Sequence, residues 1–303
     1  MLAGRENGRD TSVRAPTLGP RAAEAPALRC YRPRMAIRRA HGNLVLSDAP
    51  VSAATLELER DGYTVLCGVL DAHAIDRLSR EIAAVFEAVD EPDPQFRHQM
   101  LNRGAACQGA VGHPAILEAI EPLLGDDCHV IANTAWRNAP MFGGQGWHCD
   151  AGPHVPRPEG VPWDDRIPYP VFAVAAHLLL RDCTRPCGPT AVVPGSHRSG
   201  RLPPADRKDD PDLTYDGRPP ALLEGRAGDV LLFVSDVWHR GLPAEPAGTG
   251  RFFLQAHYAR RDIAQRLKPS CEAHQLSPES LARIASPRER LLLGLHERHF
   301  YDG

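Results

Sequence analysis

Helical and strand-like hydrophobic patterns occupy different parts of the chain. Between residues 72 and 89, apolar side chains recur every three or four positions after Asp71, a candidate N-cap, and predict an amphipathic helix. Shorter runs of this kind over 53–61 and 114–124 each end at a glycine and predict two more helices. The segment 277–294 predicts one or two helices near the C-terminus.

Short apolar or alternating runs predict the strands, which are concentrated in the second half of the chain. They cover residues 63–70, 128–140, 171–182, 227–239 and 251–261. We expect the last of these strands to pair with the one that ends at His239. Alternation along it puts four side chains on one face: Arg251, Phe253, Gln255 and His257.

Residues 1–50 contain many Arg, Ala, Pro and Gly and have no sustained apolar period, so they predict an N-terminal tail. Met35 is a candidate for the native start of the chain. Acidic residues in this stretch and the lack of an apolar core argue against a targeting peptide. We expect residues 51–303 to form one domain.

Composition narrows the class of protein without identifying an activity. Hydrophobic residues make up 43% and charged residues 24% of the 303, which is ordinary for a globular chain. A formal net charge of −3 gives no reason to expect nucleic acid or a membrane surface as a partner. The spacing of the eight cysteines predicts free thiols and a cytoplasmic location, and Cys183 and Cys187 lack the second pair that a zinc finger needs.

The strongest chemical signal combines three potential metal ligands with an arginine. His148 and Asp150 are two residues apart, and such a pair on a strand can reach one ion while Trp147 and Cys149 point away. His239 follows at the end of an apolar strand, and Arg251 comes twelve residues later. Two histidines and one carboxylate form the facial triad of non-haem Fe(II) sites, which leaves coordination positions open.

With these residues, the chain resembles the phytanoyl-CoA dioxygenase-like branch of the Fe(II)- and 2-oxoglutarate-dependent oxygenases. The segment from Cys187 to Gly200, CGPTAVVPGSHRSG, and the opening DGYTVLCGVLDAHAIDRLSREIAAVF support the resemblance, which runs from about Leu56 to Tyr258. It implies a mainly β fold with flanking helices, a double-stranded β-helix or jelly roll of the cupin type. Cys187 stands where the family usually has asparagine.

The resemblance also implies an activity. The chain is expected to be a dioxygenase with Fe(II), 2-oxoglutarate and O2, in which His148, Asp150 and His239 hold the metal. Arg251 would hold the far carboxylate of 2-oxoglutarate, with Asn133 and Arg137 as further cosubstrate contacts. Hydroxylation of a small-molecule metabolite, with release of succinate and CO2, is the expected outcome. Desaturation, ring formation and epimerisation remain open, and the oligomeric state is not predicted.

Other positions are weaker candidates for substrate contacts. The proline-rich stretch 151–170 has no hydrophobic period and predicts a loop that covers the substrate, with Trp163 and Asp165 as contacts. His197 lies near the site mouth by resemblance, although we expect it to brace the fold rather than to bind iron. Residues 201–220 are polar and predict a mobile excursion.

Two rival functions use the same residues. A zinc hydrolase could hold its metal with two histidines and a carboxylate, but it would not need Arg251. A jelly-roll protein could also bind a ligand without turnover.

Gly241, two residues after His239, lacks the hydroxyl that several relatives use for the cosubstrate.

Overall fold

The residues that the structure describes form eleven strands and seven α-helices. The computed structural model describes residues 36–40, 43–47, 50–88, 94–150, 152–164, 166–263 and 276–297. The strands are β1 Ala36–Ala40, β2 Asn43–Ser47, β3 Tyr63–Leu66, β4 Phe96–His98, β5 His129–Arg137, β6 Ala173–Leu179, β7 Thr190–Val192, β8 Ala221–Leu223, β9 Val230–Val234, β10 His239–Gly241 and β11 Phe252–Ala259.

The helices come mainly before the central strands, as the periodicity predicts. They are α1 Ala53–Asp61, α2 Ala72–Glu87, α3 Met100–Arg103, α4 Ala105–Ala110, α5 Pro114–Leu124, α6 Pro278–Ala282 and α7 Pro287–Leu292. Asp71 caps α2 by accepting a hydrogen bond from the backbone N–H of Ala74. Gly62 ends α1 in the left-handed region, with φ +83°, a conformation that favours glycine.

Antiparallel pairing arranges nine of these strands, β3 to β11, into two facing sheets. The larger sheet has the order β3-β9-β6-β11-β5-β4, and the smaller has the order β10-β7-β8. Apolar side chains such as Phe233, Phe253 and Val192 fill the space between the sheets. The other face of the large sheet packs against the helices through residues such as Leu232 and Leu254. This is the jelly-roll fold expected from the resemblance.

The structure departs from the predicted pairing of β11. That strand lies between β5 and β6, with Gln255 opposite Thr134 on one side and His177 on the other, and it does not pair with the strand before His239. A turn at residues 235–238 divides the predicted strand 227–239, so that β9 joins the large sheet and β10 the small one. Because of this division, His239 belongs to the small sheet, whereas β11 belongs to the large sheet.

Part of the predicted tail is folded. Strands β1 and β2 form an antiparallel hairpin in which Ala40 pairs with Asn43, and β1 lies beside α5. Each strand has only five residues, and an apolar pattern over so few positions does not stand out in the sequence. None of the helices in the described part of the chain is long and apolar enough to cross a membrane.

Candidate metal centre and cosubstrate cleft

His148 and Asp150 lie close to His239 because the backbone of His148 pairs with the backbone of His239. The N–H of each histidine donates to the carbonyl of the other at 2.9 Å. Their rings lie 4.3 Å apart between centroids. The segment is extended but forms only this single bridge, so the predicted strand around His148 is shorter than a regular one. Trp147 packs away from the site in a separate apolar cluster, as alternation predicts.

The three side chains meet at one point. One nitrogen from each histidine and one oxygen of Asp150 all lie within 4.8 Å of one another. The Nδ1 of His148 hydrogen-bonds to the carbonyl of Gly146, and that of His239 to the carbonyl of Val237, both at 2.9 Å. A carbonyl only accepts, so each Nδ1 carries the proton and each Nε2 offers a lone pair. This neutral tautomer is the form that binds metals, and the donor set fits Fe(II).

Electrostatics favours an ionised Asp150 between the imidazoles. Burial, followed by the charge of His239, lowers the pKa of His148. Burial also acts to lower the pKa of His239, but the adjacent carboxylate outweighs it and the net shift is upward. For Asp150, burial acts to raise the pKa, yet His239 and His257 outweigh it and hold the pKa well below its usual value.

A cleft between the two sheets leads from this centre to Arg251. It holds about 370 Å³, part of which is open to solvent. Aromatic rings form much of its wall, and the remaining side chains are polar. Besides the three potential ligands, its lining is Trp136, Gln145, His177, Thr190, Phe233, Gly241, Arg251, Phe253 and Gln255.

Arg251 is a buried cation, and the residues that the structure describes give it no anionic neighbour. Its side chain is only 4% exposed, and its Nε donates to the Oδ1 of Asn138 at 2.9 Å. The guanidinium lies over the ring of Phe142, 5.1 Å from the centroid. Burial lowers its pKa to about 10, and no carboxylate in the described part of the chain balances that effect. A buried charge of this kind favours an anionic ligand in the cleft.

Gly241 makes room for that guanidinium. A Cβ on Gly241 would lie 2.7 Å from one terminal nitrogen of Arg251 and 2.8 Å from the other. A side chain at position 241 would collide with the guanidinium, and this explains why the chain has glycine where several relatives have a hydroxyl residue. Thr190 pairs directly with Gly241 across β7 and β10, and it lines the same cleft.

A hydrogen-bonded group that sequence analysis missed lies along the large sheet. The indole N–H of Trp136 donates to the Oε1 of Gln255 at 2.7 Å, and the amide of Gln255 lies 3.2 Å from the Nε2 of His177. Burial holds the pKa of His177 well below its usual value, so this imidazole is neutral. Alternation did indicate that Gln255 shares a face with Arg251, but Trp136 and His177 come from other strands.

Asn133 and Arg137 do not reach the cleft, contrary to expectation. They alternate with Trp136 on β5, and Trp136 is the residue that faces inward. The amide of Asn133 instead donates to the backbone carbonyl of Gln255 at 2.9 Å. The guanidinium of Arg137 lies over the ring of Phe86, 4.3 Å from its centroid.

The weaker substrate candidates also lie elsewhere. Trp163 packs edge-on against Tyr169 and donates to the carbonyl of Ile167. His197 is buried, and its Nε2 bonds the carbonyl of Glu59 at 3.2 Å, so it braces the end of α1. Neither residue lines the cleft. Asp165 lies outside the described residues.

Two segments that were predicted as loops, one from its prolines and one from its polarity, are held by hydrogen bonds near the candidate centre. The backbone N–H of Trp147 donates to the carbonyl of Lys208, which fastens the 201–220 excursion beside His148. In the 152–164 segment, His154 hydrogen-bonds to the carboxylate of Asp236 through its backbone N–H and its Nδ1. The hydroxyl of Tyr169 donates to the same carboxylate at 2.7 Å.

Comparison with known families agrees with this geometry. The model of the family described as phytanoyl-CoA dioxygenase (PhyH) matches residues 58–247, which is more than half of the chain. The chain belongs to the phytanoyl-CoA dioxygenase family. Membership makes it an oxidoreductase that depends on Fe(II) and 2-oxoglutarate, as the resemblance in sequence implied.

Solved structures with the same fold carry related ligands. EctD from S. alaskensis, with 2-oxoglutarate and 5-hydroxyectoine, has a TM-score of 0.58 and 21% identity, over 85% of this chain and 93% of that one. HygX from Streptomyces hygroscopicus, with nickel and 2-oxoglutarate, has a TM-score of 0.56 and 15% identity, over 72% and 90%. The epimerase SnoN from nogalamycin biosynthesis has a TM-score of 0.52 and 18% identity, over 69% and 81%. At these identities the likeness supports the fold alone.

Proposed function

We propose that the chain is a dioxygenase that oxidises an unactivated C–H bond of a small-molecule metabolite, with hydroxylation as the expected outcome. The observation that carries the proposal is one cleft lined both by His148, Asp150 and His239 and by the buried cation of Arg251, which has no carboxylate partner among the described residues. In this scheme 2-oxoglutarate is converted to succinate and CO2.

The metal ligands are the Nε2 atoms of His148 and His239 and one carboxylate oxygen of Asp150. Backbone carbonyls fix both imidazoles in the tautomer that this role needs. When bound, Fe(II) with 2-oxoglutarate supplies the activation of O2 that protein side chains cannot provide. The protein contributes the position of the metal ligands and a cleft that combines aromatic rings with polar side chains.

Arg251 is the anchor for the far carboxylate of 2-oxoglutarate. Its planar guanidinium can hold a carboxylate through two parallel hydrogen bonds, and Asn138 restrains the side chain through Nε. Thr190 lines the cleft opposite Gly241, so a hydroxyl is available where relatives use a residue at the glycine position. Gln145 offers an amide nearby, because its Oε1 accepts from the N–H of Gly241 at 3.3 Å.

Arg251 also separates this function from a zinc hydrolase with the same ligands. A hydrolytic site requires a metal-bound water but no buried cation in the adjoining cleft. Replacement of Arg251 would leave the activity of a hydrolase unchanged, whereas it would strongly reduce the activity of an oxygenase. A protein that binds a ligand without turnover has no need of open metal positions.

The substrate is proposed only as a class. The two lysines of the chain, Lys208 and Lys268, give no lysine-rich patch for the phosphates of coenzyme A. A free small metabolite is therefore preferred to an acyl-CoA. A cytoplasmic location is proposed from the free thiols among the described cysteines.

The test is a turnover screen with the Fe(II)-loaded protein, 2-oxoglutarate, O2 and a panel of small metabolites. A substrate raises succinate release above the rate without it, and its product mass identifies the outcome. A gain of one oxygen means hydroxylation, a loss of two hydrogens means desaturation or ring formation, and an unchanged mass means epimerisation. Turnover by the zinc-loaded protein without 2-oxoglutarate would refute the proposal.

A further inference from the structure

We propose that His257 is a positioning residue that restricts Asp150 to one-oxygen binding of the metal. The Nε2 of His257 lies 2.9 Å from the Oδ2 of Asp150. The other oxygen, Oδ1, lies 3.3 Å from the Nε2 of His239. The two carboxylate oxygens therefore have different neighbours, and Oδ1 is the one that faces a metal ligand. This inference rests on the proposed function of the triad.

The donor in this contact is the imidazole. An ionised carboxylate can only accept, so the Nε2 of His257 carries the hydrogen that binds Oδ2. A charge-assisted hydrogen bond of this kind is roughly twice as strong as one between neutral groups. It directs Oδ2 toward His257, while Oδ1 remains beside the Nε2 of His239.

The backbone of β11 holds His257 in place. This strand pairs on both sides, with β5 and with β6, so it has little freedom to move. Its pairing with β5 shifts between His257 and Tyr258, where Ile131 is left without a partner on β11. The extra residue of this bulge belongs to β5, so the alternation of side chains along β11 continues through His257. By alternation His257 also shares its face with Arg251 and Phe253, which line the cleft.

The consequence concerns the number of open metal positions. A facial triad leaves three, which suit a chelating 2-oxo acid and O2. If both oxygens of Asp150 bound the metal, one of those positions would be lost. Hydrogen-bond partners of metal ligands typically change metal affinity or activity by roughly 10- to 100-fold when they are removed.

The experiment compares His257→Phe, which removes the donor and keeps a ring, with His257→Gln, whose amide nitrogen can replace Nε2. Fe(II) affinity is measured without O2, and Co(II) replaces iron for visible spectra, whose intensity depends on coordination number. We expect His257→Phe to bind Fe(II) roughly 10- to 100-fold more weakly and to change the Co(II) spectrum. His257→Gln should retain both properties of the wild type.

Two controls keep the outcome clear. Thermal unfolding of the metal-free variants checks the fold, and His296→Gln removes a histidine that contacts His129 instead of the centre. Equal Fe(II) affinity in wild type and His257→Phe overturns the inference. An equal loss of Fe(II) affinity in both His257 variants also overturns it, because it would mean that His257 only fills space. Metal binding without 2-oxoglutarate binding in the wild type would refute the proposed function but leave the metal-affinity test of His257 intact. A wild type that takes up no Fe(II) overturns both.

Discussion

Gly241 provides a direct test of how Arg251 is held. A methyl group at this position would lie 2.7 Å and 2.8 Å from the two terminal nitrogens of the guanidinium. Ordinary contact begins near 3.4 Å, so Gly241→Ala requires the guanidinium to retreat by about 0.7 Å. Gly241 does not have a positive φ, so alanine can adopt its backbone conformation.

The expected effect is larger on binding than on folding. The methyl group meets only the far ends of two side chains, the guanidinium of Arg251 and the Oε1 of Gln145 at 3.0 Å, so we expect the free energy of unfolding to fall by about 1 kcal/mol, the low end for an added methyl group. A displacement of this size breaks one of two parallel hydrogen bonds to a carboxylate, which costs about 1.5–3 kcal/mol. The Kd for 2-oxoglutarate should therefore rise roughly 10- to 100-fold.

The assay is an anaerobic titration of the Fe(II)-loaded protein with 2-oxoglutarate, followed by its visible charge-transfer band. Gly143→Ala is the matched control, because it makes the same change in the nearby approach segment, where a methyl group meets nothing within 4 Å. We expect the control to bind like the wild type. Wild-type affinity in Gly241→Ala would refute the assignment of Arg251 as the anchor.

Three further predictions concern stability and reactivity. Burial lowers the pKa of His197 to about 4, so only the unfolded state gains its proton between about pH 6.5 and pH 4. The free energy of unfolding therefore falls as the pH drops through that window. Between pH 7 and pH 5, as measured by urea unfolding, the wild type should lose about 2 kcal/mol more than His197→Gln, and equal losses would contradict this. Tyr169→Phe removes a hydrogen bond to the buried carboxylate of Asp236 and should lower the free energy of unfolding by about 1.5–3 kcal/mol. It should also speed proteolysis of the 152–164 segment, and an unchanged proteolysis rate would show that Asp236 does not hold that loop. Burial raises the pKa of the Cys107 thiol, so an alkylating reagent should modify exposed Cys67 first and reach Cys107 only on unfolding, and early labelling of Cys107 would argue against its burial.

Features that depend on local sequence could be predicted. The caps at Asp71 and Gly62 follow from side-chain hydrogen bonding and from the freedom of glycine. The shared face of Arg251 and His257 follows from the two-residue period of a strand. These relations extend over only a few residues, so no partner strand needs to be known.

Features that depend on pairing between distant segments could not be predicted. Alternation separates Asn133 from Trp136 on β5, but only the packed sheets determine which face lines the cleft. Thr190 reaches the site because its strand pairs with Gly241. His257 has no motif of its own, and its contact with Asp150 depends on a strand more than a hundred residues away.

The most direct test of the central claim is binding of 2-oxoglutarate to the Fe(II) centre without O2. Wild-type protein would be titrated beside His148→Ala and Arg251→Ala, and the metal-to-ligand charge-transfer band would be recorded. We expect a band in the wild type, none in His148→Ala, and a band in Arg251→Ala only at much higher 2-oxoglutarate concentration. A wild type that binds metal but gives no band at any concentration would contradict this expectation.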